Sequence, residues 1–62
     1  MNIKNASILT GVSDQMIRYY EKLGLINPKR NKNNNYRDYQ QADINNIVMI
    51  KQYSELGLSL KN

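Results

Sequence analysis

Cysteine and histidine are both absent from this sequence of 62 residues. Their absence excludes disulfides, the usual zinc sites and catalysis by a thiol or an imidazole. A chain this short also has no room for a catalytic cleft beside a hydrophobic core, and the sequence offers no nucleophile paired with a base. We therefore expect a protein that is not an enzyme and that needs neither a metal nor a cofactor.

Long apolar runs are missing as well. No apolar stretch follows the lysine near the N-terminus, which argues against a secretory signal, and no segment approaches the roughly 20 apolar residues that a membrane span needs. We expect one domain over residues 1–62, no membrane partner and a cytoplasmic location. The lack of cysteine fits a reducing compartment without proving one.

Positive charge is in excess. Nine Lys and Arg residues outnumber five Asp and Glu residues, which gives a net charge of +4 and a pI of about 9.6. A small basic domain favours an anionic partner, and nucleic acid is the first candidate. Many small soluble proteins are basic without binding nucleic acid, so composition alone leaves both interpretations open.

A first short helix is predicted over residues 4–9, where Ala6 and Leu9 share one face at a spacing of three. Gly11 follows, and a glycine in this position is where a helix would stop with a positive φ. The segment therefore predicts a helix followed by a tight turn.

A second helix is predicted over residues 14–23, with Ser13 as its N-cap and Gly24 as its end. Its residues separate into two faces at spacings of three and four. The face predicted to lie against the core consists of Met16, Ile17, Tyr20 and Leu23. The opposite, polar face consists of Gln15, Arg18, Tyr19 and Lys22. Two short helices joined by a glycine-containing turn are typical of a helix-turn-helix.

Residues 25–39 predict a small β-hairpin with a basic tip. Pro28 breaks any helix, and the asparagine-rich segment 31–35 suits a turn between two strand-like stretches. A disordered linker is the alternative, but the flanking residues and the ordinary loop length favour the hairpin. The cations of this hairpin are Lys29, Arg30, Lys32 and Arg37.

A third helix is predicted over residues 41–56, with Asp43 in its first turn and Gly57 as its stop. One apolar stripe consists of Ile44, Ile47, Ile50 and Ser54. A second stripe on another side consists of Met49, Tyr53 and Leu56. Residues 58–62 look like the start of a fourth helix.

If the second helix enters a DNA major groove, its polar face supplies the contacts. Gln15 and Arg18 lie towards its N-terminal part and are the better candidates for reading bases. Tyr19 suits a phosphate and Lys22 acts as a point charge, whereas Tyr20 points to the core. The hairpin then resembles a wing, with its cations on the phosphate backbone.

The same residues also allow interpretations that do not involve DNA binding. The polar face could be an ordinary solvated surface with pairs within the helix, from Asp14 to Arg18 and from Arg18 to Glu21. The hairpin could be a loop whose charges protect an edge strand against aggregation.

The chain also resembles a known family, the MerR (mercury-resistance regulator) family of transcription regulators. The resemblance begins in residues 3–26 and continues to residue 60, in order and at the expected spacings. Its strongest segments are LTGVS at 9–13, IRYYEKLGLI at 17–26, NYRDY at 35–39, DI at 43–44 and ELGLSL at 55–60.

The resemblance implies a mostly α winged helix-turn-helix of three to four helices with a small β-hairpin wing. It implies that Arg18 and Tyr19 contact double-stranded promoter DNA from the recognition helix, with Tyr36 and Arg37 of the wing at the backbone. Relatives bind palindromic promoters as homodimers, distort the DNA between half-sites and act on RNA polymerase. The dimerisation helix and effector region that such a regulator carries are not among these 62 residues.

Three positions depart from the family's pattern. Asn34-Asn35 replaces the usual Asn-Gly of the wing, Met16 stands where a small residue or threonine is common, and Ser54 stands where a basic residue is frequent. The last departure predicts a second-wing phosphate contact that is weaker or moved to Lys51. Two rival functions are an excisionase-like architectural factor in phage or plasmid recombination and a protein–protein adaptor that uses the third helix.

Overall fold

A computed structural model describes residues 1–34 and 36–55. Three helices and one hairpin follow one another in the order α1 (Ile3–Thr10), α2 (Asp14–Lys22), β1 (Lys29–Arg30), β2 (Arg37–Asp38) and α3 (Gln41–Glu55). This arrangement confirms the predicted fold, a mostly helical domain with a two-stranded wing. The predictions for Asn35, for Leu56 and Gly57, and for a helix beginning at 58–62 lie outside the described residues.

Helix α1 is capped at both ends by local hydrogen bonds. The side chain of Asn2 accepts from the backbone N–H of Asn5, and Gly11 ends the helix in the left-handed region at φ 70°. Thr10 is buried, and its hydroxyl donates to the carbonyl of Ala6 and accepts from the N–H of Val12. These bonds fix the turn that leads into α2.

Ala6 and Leu9, predicted to share one face of α1, differ in burial, because Ala6 is buried and Leu9 is 63% exposed. The residues that do face the core are Ala6 and Thr10, four apart, with Ile3 partly buried beside them. At about 100° per residue, this stripe lies roughly a quarter-turn away from Leu9.

Helix α2 begins at Asp14 as predicted and ends at Lys22, one residue before the predicted end. Ser13 is its N-cap and accepts from the N–H of Met16, and Asp14 lies in the first turn near the positive helix end. Gly24 follows the helix at φ 78°. Ile17 and Tyr20 are buried, which confirms the core role of Tyr20.

Two further residues of the predicted core face are exposed. Met16 is 39% exposed and Leu23 is 43% exposed, so the prediction was wrong for both. They are seven residues apart and therefore share one flank of the helix, about 100° from Ile17. A domain this small buries only the narrow stripe of Ile17 and Tyr20.

The wing pairs its strands antiparallel, with Lys29 opposite Asp38 and Arg30 opposite Arg37. The asparagines of its turn act through their side chains. The Asn31 carboxamide oxygen accepts from the N–H of Asn33, and that of Asn34 accepts from the N–H of Tyr36. The backbone N–H of Asn31 closes the turn on the carbonyl of Tyr36 at 2.7 Å.

Helix α3 closes the core from the other side. At its start, the Asp43 carboxylate reaches back and accepts from the backbone N–H of Gln40, which is one half of a capping box. Ile44 and Ile47 are buried and Ile50 is partly buried, as the first stripe predicted, although Ser54 is exposed.

The second stripe of α3 stays outside the core, because Met49 and Tyr53 are each about half exposed. Among the described helices, none combines the length and the apolar character needed to cross a membrane. The core is a single cluster formed by Ala6, Val12, Ile17, Tyr20, Ile26, Tyr39, Ile44 and Ile47.

Candidate nucleic-acid interface

The polar face of α2 reaches solvent in the structure. Gln15, Arg18 and Lys22 are exposed and follow one another at spacings of three and four, so they line one side of the helix. Tyr19 is only partly exposed and packs against the core. The polar face therefore presents two cations and an amide to solvent, with a tyrosine at its edge.

The alternative interpretation explained this face by ion pairs within α2, from Asp14 to Arg18 and from Arg18 to Glu21, but both carboxylates bond elsewhere. The Asp14 carboxylate accepts from the backbone N–H of Gln15, and the Glu21 carboxylate pairs with Arg37 of the wing. Arg18 makes no hydrogen bond or ion pair with any other residue that the structure describes. Its guanidinium is thus available to a partner outside the chain.

The wing carries its charge on the outside. Lys29, Arg30 and Lys32 are exposed, and they lie on β1 and at the start of the turn. Tyr36 is 74% exposed although tyrosine usually buries most of its ring. One hairpin thus presents an exposed aromatic ring and three exposed cations, which suits contact with an anionic partner.

Arg37 links the wing to α2. Its Nε lies 2.6 Å from Oε1 of Glu21, and both of these atoms are sealed from solvent. They make an ion pair rather than a straight hydrogen bond. Bonding to the Glu21 carboxylate raises the pKa of Arg37 above its ordinary value, against the smaller effect of burial. The pair fixes β2 beside the C-terminal half of α2.

A cleft of about 150 Å³ opens where α1, α2 and the wing meet. Two arginines and two tyrosines account for most of its wall. The lining residues are Asn2, Ile3, Arg18, Tyr36, Arg37 and Tyr39. The cleft therefore joins the polar face of α2 to the wing in one continuous cationic surface.

Tyr39 lies at the base of this surface and is almost completely buried. Its hydroxyl has no hydrogen-bond partner within the described part of the chain. Burial raises the pKa of Tyr39, the Glu21 carboxylate raises it further, and Arg37 and Arg18 oppose both effects. Arg18 and Arg37 line the same cleft as Tyr39.

Lys51, the expected second-wing contact, lies beside the turn that joins α1 and α2. A Cβ added to Gly11 would come within 3.0 Å of its Nζ, and Glu55 Oε1 is 3.8 Å from the same nitrogen. The ammonium group is therefore near the C-terminal end of α1, where a positive charge is favoured by the helix dipole.

Sequence reasoning missed Asn2, Glu21 and Tyr39 as parts of this surface. Strand alternation would place Tyr36 and Tyr39 on opposite sides, yet both line the cleft, so alternation gave no signal for Tyr39. Glu21 carried no signal either. Its partner lies 16 residues away on another element, and local spacing suggested Arg18 instead.

The comparisons with known proteins bear on the whole of this surface. The family model described as MerR HTH family regulatory protein matches residues 1–62. The heavy metal-dependent transcription regulator 2 of Rhizobium meliloti (strain 1021) is 41% identical over 61 residues, which cover 98% of this chain and 42% of that protein. The HTH-type transcriptional regulator CueR of Escherichia coli O157:H7 is 34% identical over 61 residues, which cover 98% of this chain and 45% of that protein.

A solved structure agrees in fold and sequence. The crystal structure of a Listeria monocytogenes protein assigned to the MerR family of transcriptional regulators superposes with a TM-score of 0.89 and 40% identity. The match covers 98% of this chain and 46% of that one. The present chain thus spans less than half the length of the relatives that it matches.

Proposed function

Because the chain belongs to the MerR family of helix-turn-helix regulators, we propose that it binds double-stranded promoter DNA in a sequence-specific manner and so regulates transcription. Helix α2 is the recognition helix in the major groove, and the hairpin is a wing on the phosphate backbone. The protein is a binding module and not an enzyme. The named relatives are regulators of transcription and lend the excisionase alternative no support.

One observation carries the proposal. The exposed polar face of α2 and the cationic wing are joined by the Arg37–Glu21 pair and by the cleft between them. Two separate cationic patches on opposite sides would need two partners, whereas this continuous surface suits one polyanion.

Within this surface we assign different tasks to different residues. Gln15 and Arg18, in the N-terminal two turns of α2, contact base edges, with Arg18 able to donate in pairs to guanine. Tyr19 and Lys22 contact phosphates. The remaining phosphate contacts come from Lys29, Arg30, Tyr36 and Arg37 of the wing and from Lys51 beside the α1–α2 turn.

The whole protein's partners are part of the proposal. By family resemblance we propose that it acts as a homodimer on a palindromic promoter, that it influences RNA polymerase, and that it works in the cytoplasm. Since the two half-sites of such a promoter must be brought into register, part of its specificity would come from the deformability of the DNA between them.

A salt titration of duplex binding tests the proposal. Each neutralised phosphate contributes a slope of about −0.9 to log K against log salt, so four contacts give a slope of about −3.6. Neutralising Lys22 and Lys29 together, two of the proposed phosphate contacts, makes the slope shallower. A matched variant that removes the exposed apolar side chains Met49 and Tyr53 of α3 leaves it unchanged.

A flat salt response would refute DNA binding. Loss of a protein partner in the Met49/Tyr53 variant, together with that flat response, would favour the adaptor function instead.

A further inference from the structure

An acidic side chain lies on the very helix that we propose to meet DNA. Glu21 belongs to α2, one turn beyond Ile17 and three residues beyond Arg18. A bare carboxylate close to the phosphate backbone repels it and weakens binding. Glu21 is not bare, because its Oε1 lies 2.6 Å from Nε of Arg37.

The pair leaves most of the arginine available. A guanidinium has five N–H donors, of which Nε carries one, so four remain for another acceptor. The Arg37 side chain is 39% exposed and that of Glu21 is 25% exposed, and Arg37 lines the cleft with Arg18 and Tyr36. Glu21 therefore holds the inner edge of the guanidinium while its outer edge faces the cleft.

The residues around Arg37 restrict the orientation of its guanidinium group. The neighbouring Tyr39 is buried in the core and follows β2 directly, so the strand end that carries Arg37 cannot swing freely. The two ion-paired atoms are sealed from water, which strengthens their attraction relative to an exposed pair. Free of Glu21, the long arginine side chain would sample many rotamers and would lose entropy on contacting a phosphate.

We propose that Glu21 is a positioning residue for DNA binding, which holds the Arg37 guanidinium at the mouth of the cleft so that Arg37 and Arg18 face the same stretch of phosphate backbone. This inference rests on the proposed function. The direct repulsion between the Glu21 carboxylate and DNA weakens binding, whereas the positioning of Arg37 by that carboxylate strengthens binding.

These opposite effects on binding permit a sharp test. Glu21→Gln and Glu55→Gln each remove one negative charge from the chain. Glu55 is the charge-matched control: its pair with Lys51 is solvent-exposed and 3.8 Å long, so it does not hold the ammonium group in one orientation as Glu21 holds the guanidinium. Duplex binding is measured for both variants at one low salt concentration, and melting curves establish that both are folded.

Simple electrostatics predicts that both variants bind DNA as tightly as the unchanged chain or slightly more tightly. If Glu21 positions Arg37, only Glu55→Gln binds DNA as tightly as the unchanged chain or slightly more tightly. Glu21→Gln then weakens binding about three- to tenfold, within the usual range of coupling between contacting residues. In a chain that already carries Arg37→Ala, Glu21→Gln should no longer weaken binding. A purely structural role would weaken it in both backgrounds.

A second variant covers the case in which Glu21→Gln does not fold. Arg37→Lys keeps the charge but has a single ammonium group in place of the fork, so it cannot hold Glu21 and a phosphate from separate edges. We expect it to weaken binding by a similar factor. Unchanged or tighter binding by Glu21→Gln, or by Arg37→Lys, overturns the inference while DNA binding itself stands. Absence of any salt-sensitive binding by the unchanged chain refutes the proposed function instead.

Discussion

Arg18 and Tyr20 are two residues apart on α2, and the structure predicts opposite consequences for their loss. Arg18 is exposed at the cleft, whereas Tyr20 is 3% exposed in the core. Truncating a buried aromatic residue to alanine costs about 3–5 kcal/mol. A domain of this size has a free energy of unfolding of roughly 3–9 kcal/mol, at about 0.05–0.15 kcal/mol per residue. Tyr20→Ala should therefore remove a large share of this stability and, at the lower end of the range, unfold the domain at room temperature.

Arg18→Ala should leave the fold intact. Exposed substitutions away from caps and buried networks change stability by about 0.5 kcal/mol or less. If the guanidinium donates in pairs to a base, its loss costs about 1–3 kcal/mol of binding, which is roughly a 5- to 150-fold weaker affinity. Tyr20→Phe is the control for the buried residue, because it keeps the ring and should retain most of the stability.

The assay pairs thermal melting with duplex binding for each variant. Binding by Tyr20→Ala should recover when the affinity is corrected for the folded fraction, and binding by Arg18→Ala should not. The reasoning is refuted if Arg18→Ala lowers the melting temperature as much as Tyr20→Ala does, with a binding loss that vanishes after the same correction.

Two further predictions follow from the turns and the wing. Gly11→Ala and Gly24→Ala should each lose about 1–2 kcal/mol of stability, because their φ angles of 70° and 78° lie in the left-handed region. The Lys51 ammonium group near Gly11 is the end of a flexible side chain and can move aside, so denaturant titrations should give similar losses, and a loss confined to one of the two glycines would contradict this reasoning. The α-amino group of Met1 bonds to the Asp38 carboxylate and holds the pKa of Asp38 below its ordinary value. A carboxyl group whose pKa is lower in the folded than in the unfolded protein stabilises the fold at any pH above the unfolded pKa of about 3.9. This stabilisation is lost as the pH falls through the folded pKa. The stability difference between the unchanged chain and Asp38→Asn should thus be present at neutral pH and shrink below about pH 4, and a difference that grew in acid would contradict the pairing.

The elements that local chemistry determines were predictable from the sequence. Gly11, Ser13 and Gly24 mark the ends of α1 and α2, because a left-handed backbone or a side-chain cap is needed within the same few residues. The wing was predictable for the same reason, since proline and asparagine act on their own backbone.

Which apolar residues are buried was less predictable. Leu9, Met16 and Leu23 fit a broad apolar face, but helices of eight and nine residues in a small domain each bury only a narrow stripe. The width of that stripe depends on how the helices pack against one another, and helical spacing alone does not contain that information.

The Arg37–Glu21 pair could not be predicted from spacing either. Within the helix, Glu21 stands at a suitable distance from Arg18, and a local interaction was the natural hypothesis. The wing brings a competing arginine to the same carboxylate, and this arrangement frees Arg18 for the surface. The polar face of α2 was thus identified correctly while the partner that shapes it was not.

An amide chemical-shift titration tests the central claim most directly. The isotope-labelled chain is titrated at low salt with a short duplex of mixed sequence, to which sequence-independent phosphate contacts suffice for binding. The account predicts the largest shifts at Gln15, Arg18 and Lys22 of α2 and at Lys29 and Arg30 in the wing, with the amides of the outer α3 stripe nearly unmoved. Shifts concentrated around Met49 and Tyr53, with the α2 face and the wing unaffected, would contradict it.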